Sequence, residues 1–179
     1  LADPFTSAAA WTAVGRMREL AGDPAGALAA VRTALKADAQ AEGAVLLAID
    51  LIGPGQPLAE PLVRNYMAGK PSPEVRLALA RALLNLRRNA DARAQLKVVT
   101  AEKPDYALAW LALGLTQLQD NDADLAEVSL TRFLELTADA SGAGVQRAQV
   151  DAFLGLAQIA EQRKDFAAAD RWLDKVEDP

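Results

Sequence analysis

The chain has no cysteine and no histidine. The first absence removes disulfides, thiolate metal sites and thiol nucleophiles, and fits either a reducing or an oxidising compartment. The second removes imidazole ligands and histidine-based acid–base catalysis. Aromatic residues are only 5% of the 179 positions, and glycine (11) and proline (9) are sparse enough to read as punctuation. No long hydrophobic run exists either. The longest uncharged stretch, Tyr106 to Gln119, is too short to span a bilayer, and no leader peptide is visible. A net charge of −5 argues against a general nucleic-acid binder, which needs a basic surface for phosphates. What is abundant is alanine, 40 of 179 residues. Alanine favours helix and lets helices approach closely, so the composition leans all-α. The chain opens Leu-Ala-Asp-Pro and closes at Asp178-Pro179 after a helix-like stretch, which reads as a fragment of a longer protein.

A repeat runs through the sequence. Small residues follow aliphatic ones at Val14-Gly15, Leu47-Ala48, Leu79-Ala80, Leu113-Gly114 and Leu156-Ala157. After 12, 11, 12, 12 and 12 residues come Ala27, Ala59, Ala92, Ala126 and Ala169. Four residues past each alanine stand Val31, Val63, Leu96, Leu130 and Leu173. This rhythm predicts two antiparallel helices per unit, small residues letting the backbones close up and aliphatics filling the gap. Turn residues fall between the helices at Gly22-Asp23-Pro24, Gly53-Pro54-Gly55, Asn121-Asp122 and Lys164-Asp165, while Pro71 and Pro104 stop second helices between units.

These residues resemble the tetratricopeptide repeat family, whose unit of about 34 residues runs Trp-x2-Leu-Gly, then alanine, a bulky residue and alanine, then proline. Trp110-Leu111-Ala112-Leu113-Gly114 carries the first part, and Asp165-Phe166-Ala167-Ala168-Ala169 matches the turn and the start of a second helix. Five units follow, about 8–40, 41–72, 73–106, 107–149 and 150–179, in a single repeat domain. Departures are visible. The family's second small position holds Tyr66, Val99, Phe133 and Val176, with Ala34 the one conforming residue. Gly53-Pro54-Gly55-Gln56-Pro57 shortens the second hairpin, and nine extra residues around Ser141-Gly142-Ala143-Gly144 predict a longer loop with the fifth unit's first helix starting near Val145.

Other motifs are weak. Asp120-x-Asp122-x-Asp124 starts like a calcium loop, but Leu125 replaces its glycine and Thr131 its glutamate. Gly69-Lys70 lacks the phosphate loop's upstream glycine, where Arg64 stands, and Pro71 replaces the hydroxyl residue. Gly53-Pro54-Gly55 has no preceding strand, and Ser141-Gly142 has no base to activate the serine. Carboxylate pairs such as Glu19 and Asp23 show no convergence into a dry pocket. No catalytic, cofactor or metal residue is assigned, and no enzyme activity is expected. Residues 64–103 hold nine Lys/Arg and three acids. These read as arginine stems covering the outer face of unit three rather than as a basic binding stripe.

The resemblance implies an all-α right-handed superhelix of about five helix-turn-helix repeats, working as a protein–protein interaction module. It implies core roles for Trp11, Trp110 and Phe153, at the family's Trp position, and leaves Trp172 open to either role. First helices would line a concave groove with Thr12, Arg16, Val45, Ile49, Leu77, Arg81, Leu111, Leu115, Leu154 and Gln158. That lining suits an apolar partner segment bearing acids for Arg16 or Arg81. Some of these leucines could instead be buried against neighbouring repeats. The chaperone carboxylate clamp is missing, since its positions hold Thr12, Arg16, Leu46, Glu74 and Ala78. The expected partner is thus a protein or peptide, with no nucleic acid, no direct membrane insertion and no cofactor. The end helix, with Phe166, Trp172, Leu173 and Val176, could pair two copies. A bacterial envelope or periplasmic setting is favoured. The alternatives are repeats that space other domains, or a fragment whose chemistry lies outside this sequence.

Overall fold

A computed structural model describes residues 7–53 and 58–177. Among them are ten helices and no strand: α1 (Ala8–Leu20), α2 (Pro24–Ala37), α3 (Glu42–Asp50), α4 (Ala59–Met67), α5 (Pro73–Asn85), α6 (Asn89–Glu102), α7 (Ala107–Gln119), α8 (Ala123–Leu136), α9 (Ala143–Gln162) and α10 (Phe166–Glu177). The all-α expectation holds. Most of the shortened second turn, Pro54 to Pro57, lies outside the described residues.

The hairpins are punctuated by local chemistry. Ser7, Asp23 and Ser72 accept hydrogen bonds from the amides of Ala10, Gly26 and Val75, satisfying donors at the starts of α1, α2 and α5. Pro24 and Pro73 follow two of these caps, where a missing N–H costs nothing. Four hairpin turns share one geometry. Gly22, Arg87, Asn121 and Lys164 take left-handed φ values of 75°, 60°, 59° and 62°. The next amide in each, on Asp23, Arg88, Asp122 and Asp165, reaches back five residues to Arg18, Leu83, Gln117 and Ala160, the six-to-one bond that closes a helix end. The Arg87-Arg88 turn carries no glycine, asparagine or aspartate, so composition did not mark it.

The chain divides into two compact units, one ending at Arg88 and the other beginning at Asn89. In the first, α1 packs on α2 and α3, α2 on α3, and α3 on α4 and α5. In the second, α6 packs on α7, α7 on α8 and α9, α8 on α9, and α9 on α10. Within each unit, hairpin partners such as α1 and α2 or α7 and α8 pack together, and first helices meet the next first helix in chain order, α1 on α3, α3 on α5 and α7 on α9, which is how repeat arrays bury surfaces that no single hairpin can cover.

The rhythm of small residues is the core. Gly15, Ala48, Ala80, Gly114 and Ala157 are all buried, as are Ala27, Ala59, Ala92, Ala126 and Ala169. Val31, Val63, Leu96 and Leu130 are buried with them, while Leu173 is exposed. Gly114 shows the constraint most sharply. A methyl group there would lie 2.7 Å from the Leu130 side chain and 3.2 Å from its backbone nitrogen. The bulky departures Tyr66, Val99 and Phe133 are buried too, so they fill the core rather than interrupt it.

Two expectations need adjustment. The loop at the insertion is longer than the others between repeats, as expected, but only slightly. Only residues 137–142 separate α8 from α9, and most of the extra length winds into α9, 20 residues against the 13 of α7. Its early start, at Ala143, is as expected. The residues at the family's Trp position are half-buried rather than fully enclosed. Trp110 donates its indole N–H to the Pro104 carbonyl at 2.9 Å, and Phe153 stacks on Trp172 with centroids 6.0 Å apart.

Candidate partner-binding face

In the first unit, the expected groove residues come from α1, α3 and α5. Thr12 is half-buried and its hydroxyl donates to the Ala8 carbonyl at 2.7 Å. Arg16 is exposed but already engaged, at 2.8 Å from Asp50 and 3.0 Å from Glu19. The hydrogen bond to Asp50 is the main reason its pKa stands above the ordinary arginine value, with Glu19 adding to it. The Asp50 partnership escaped the sequence reading. Its signal was the spacing of 34 residues from Arg16, one repeat length, which ties α1 to α3. Val45, Ile49 and Leu77 are buried in the core. Arg81 is exposed and has no ion-pair partner among the described residues. It borders a cleft of about 370 Å³ between α3 and α5, lined also by Ile52, Asn85 and Leu86.

In the second unit, the corresponding residues lie on α7 and α9 and are mostly apolar. Leu111 is buried, Leu115 half-buried, Leu154 46% exposed and Gln158 exposed. Leu108, one turn before Leu111, is also exposed. The α7 and α9 helices touch near Gly155, where an added methyl would lie 3.7 Å from Leu115. Leu115 and Leu154 therefore belong to adjoining first helices. The clamp positions Thr12, Arg16, Leu46, Glu74 and Ala78 offer no cluster of lysines and asparagines.

Many of the cations are taken up internally. Arg64 and Arg88 both reach Glu60, at 3.8 and 2.9 Å, and Arg93 holds Asp120 at 2.7 Å. Arg163 spans Asp124 and Glu127, and hydrogen bonding to these carboxylates raises its pKa, Glu127 first. Asp120 and Asp124 are thus ion-pair partners, and Asp23 caps α2. Among the described residues no group of acidic side chains is arranged to hold a metal ion, and no helix is long and apolar enough to cross a membrane.

A family model for the tetratricopeptide repeat matches residues 77–143. Residues 77–143 thus carry the tetratricopeptide-repeat pattern. Solved structures agree over almost its whole length. MamA from Desulfovibrio magneticus RS-1 superposes with a TM-score of 0.72 at 17% identity, covering 95% of this chain and 93% of its own. YrrB, a tetratricopeptide protein with an unusual peptide-binding site, gives 0.70 at 18% identity, covering 96% and 85%. PilW, a widely conserved type IV pilus biogenesis factor, gives 0.65 at 24% identity, covering 95% and 76%. These likenesses establish the fold, that of tetratricopeptide solenoids. No curated protein matches the chain in sequence. Repeats of this kind are protein-interaction modules and generally non-enzymatic scaffolds.

Proposed function

We propose that this chain is a non-enzymatic interaction module, one repeat domain of five hairpins, whose first-helix faces hold a segment of a partner protein. The observation that carries the reading is the apolar face of the second unit, with Leu108 and Leu154 exposed and Leu115 half-buried. Exposed leucines gathered on neighbouring helices of a soluble surface mark an interaction site more often than isolated ones do. The accessible groove residues are Thr12, Arg16 and Arg81 in the first unit and Leu115, Leu154 and Gln158 in the second. Each unit offers its own contacts: the leucines of the second accept apolar side chains, and Arg81 of the first accepts an acidic residue in preference to the occupied Arg16. A protein or peptide partner accords with the peptide-binding site of YrrB, and an envelope setting with the pilus role of PilW.

The test is partner capture by wild type and by a Leu115→Glu, Leu154→Glu double variant, with thermal unfolding checked in parallel. The reading predicts that partners are lost while the unfolding midpoint moves little. Equal recovery refutes it. Leu111 is unsuitable as a target because it is buried.

A second reading has its own support in the first unit. There Val45, Ile49 and Leu77 are internal and Arg16 is bound to Asp50, as expected of repeats that mainly space other segments. The exposed Phe166 and Leu173 on α10 further suggest self-association of two copies. Light scattering showing only monomer at high concentration contradicts that part.

A further inference from the structure

Away from the first-helix faces, α8, α9 and α10 enclose a cleft of about 410 Å³, within the range of small-ligand pockets, roughly 300–1,000 Å³. Leu134, Ala138, Phe153 and Trp172 give it apolar walls. The two rings stack at 21°, and the Lys175 ammonium lies 5.8 Å from the Phe153 centroid and 5.6 Å from that of Trp172. That cation–π contact places the charge at the mouth of the cleft. One wall comes from the lengthened N-terminal part of α9. There Gln149 donates to the Thr137 carbonyl at 2.9 Å and ties α9 to the end of α8.

Its charges decide what it can accept. Glu135 borders the cleft, but Arg132 neutralises it at 2.9 Å. Lys175 has no carboxylate partner among the described residues. The mouth thus carries one uncompensated positive charge beside an aromatic floor. We propose that this cleft binds a peptide segment in which a bulky apolar side chain is followed directly by a carboxylate. The side chain enters against Phe153 and Trp172, and the carboxylate meets Lys175. The site is separate from the first-helix face, so either can fail while the other stands.

The probe is N-acetyl-leucyl-aspartyl amide, followed by NMR of the indole N–H resonances of Trp11, Trp110 and Trp172. A Trp172→Phe variant assigns the relevant signal. At millimolar probe the Trp172 resonance should shift saturably while the other two stay still. The aspartyl probe should bind roughly threefold or more tightly than its asparaginyl or lysyl counterpart, the size of a solvent-facing ion contact. Lys175→Gln should erase that preference. Equal binding of all three probes, uniform movement of the three indoles, no shift at all, or a preference that survives Lys175→Gln would each overturn the proposal. The probe series on wild type decides the matter even if a variant folds poorly.

Discussion

The same repeat positions behave differently in the two units. At the first groove position of the second repeat stands Val45, at 0% exposure; at that position in the fifth stands Leu154, at 46%. Four residues on, Ile49 is internal and Gln158 is exposed. In the first unit the face is closed by its own side chains and by the Arg16–Asp50 pair. In the second unit leucines remain open. Position in the repeat places a residue on a helix face, but the length and side chains of the neighbouring helices decide whether that face is covered. The proposed partner face is therefore uneven along the repeats, apolar in the second unit and centred on Arg81 in the first.

The comparison breaks most strongly at the core. Leu130 is fully buried beneath Gly114 and Gly155. Leu130→Ala should cost about 2–5 kcal/mol in chemical unfolding. Leu173→Ala, the matching position on α10, is exposed and should cost under about 0.5 kcal/mol. Similar losses from both would mean that α10 is as enclosed as α8. Gly114→Ala should cost about 1–3 kcal/mol, since the Leu130 backbone as well as its side chain must yield.

The turns provide a smaller contrast. Gly22 and Lys164 hold the same left-handed geometry, but only glycine takes it without steric penalty. Lys164→Gly should raise stability by about 1 kcal/mol and Gly22→Ala should lower it by a similar amount. Opposite signs are the prediction. Asp50→Asn breaks an exposed ion pair and should cost no more than about 1 kcal/mol, less in high salt.

Much of the architecture was legible because it depends on size and spacing alone. Wherever helices must touch, only glycine or alanine fits, and the small residues at Gly15, Ala48, Ala80, Gly114 and Ala157 record those contacts directly. The insertion was harder to read. Gly142 and Gly144 suggest a loop, yet the stretch that follows holds alanine, glutamine and arginine and no proline, and it extends α9 instead. The proposed binding face was half legible. Ten positions follow from the register, but the burial of Val45, Ile49 and Leu77 and the capture of Arg16 by Asp50 depend on adjacent helices. The Phe153–Trp172–Lys175 cleft joins side chains from two helices, and nothing in the spacing of one unit announces it.

Because the protein has no cysteine, single substitutions give a direct readout of this uneven face. The decisive measurement is the thiol-labelling rate of Leu154→Cys beside that of Val45→Cys, each in the folded protein. Leu154→Cys should react near the rate of a free thiol, and Val45→Cys should be slower by on the order of tenfold or more, because labelling it requires local opening. Comparable rates at the two positions would contradict the account.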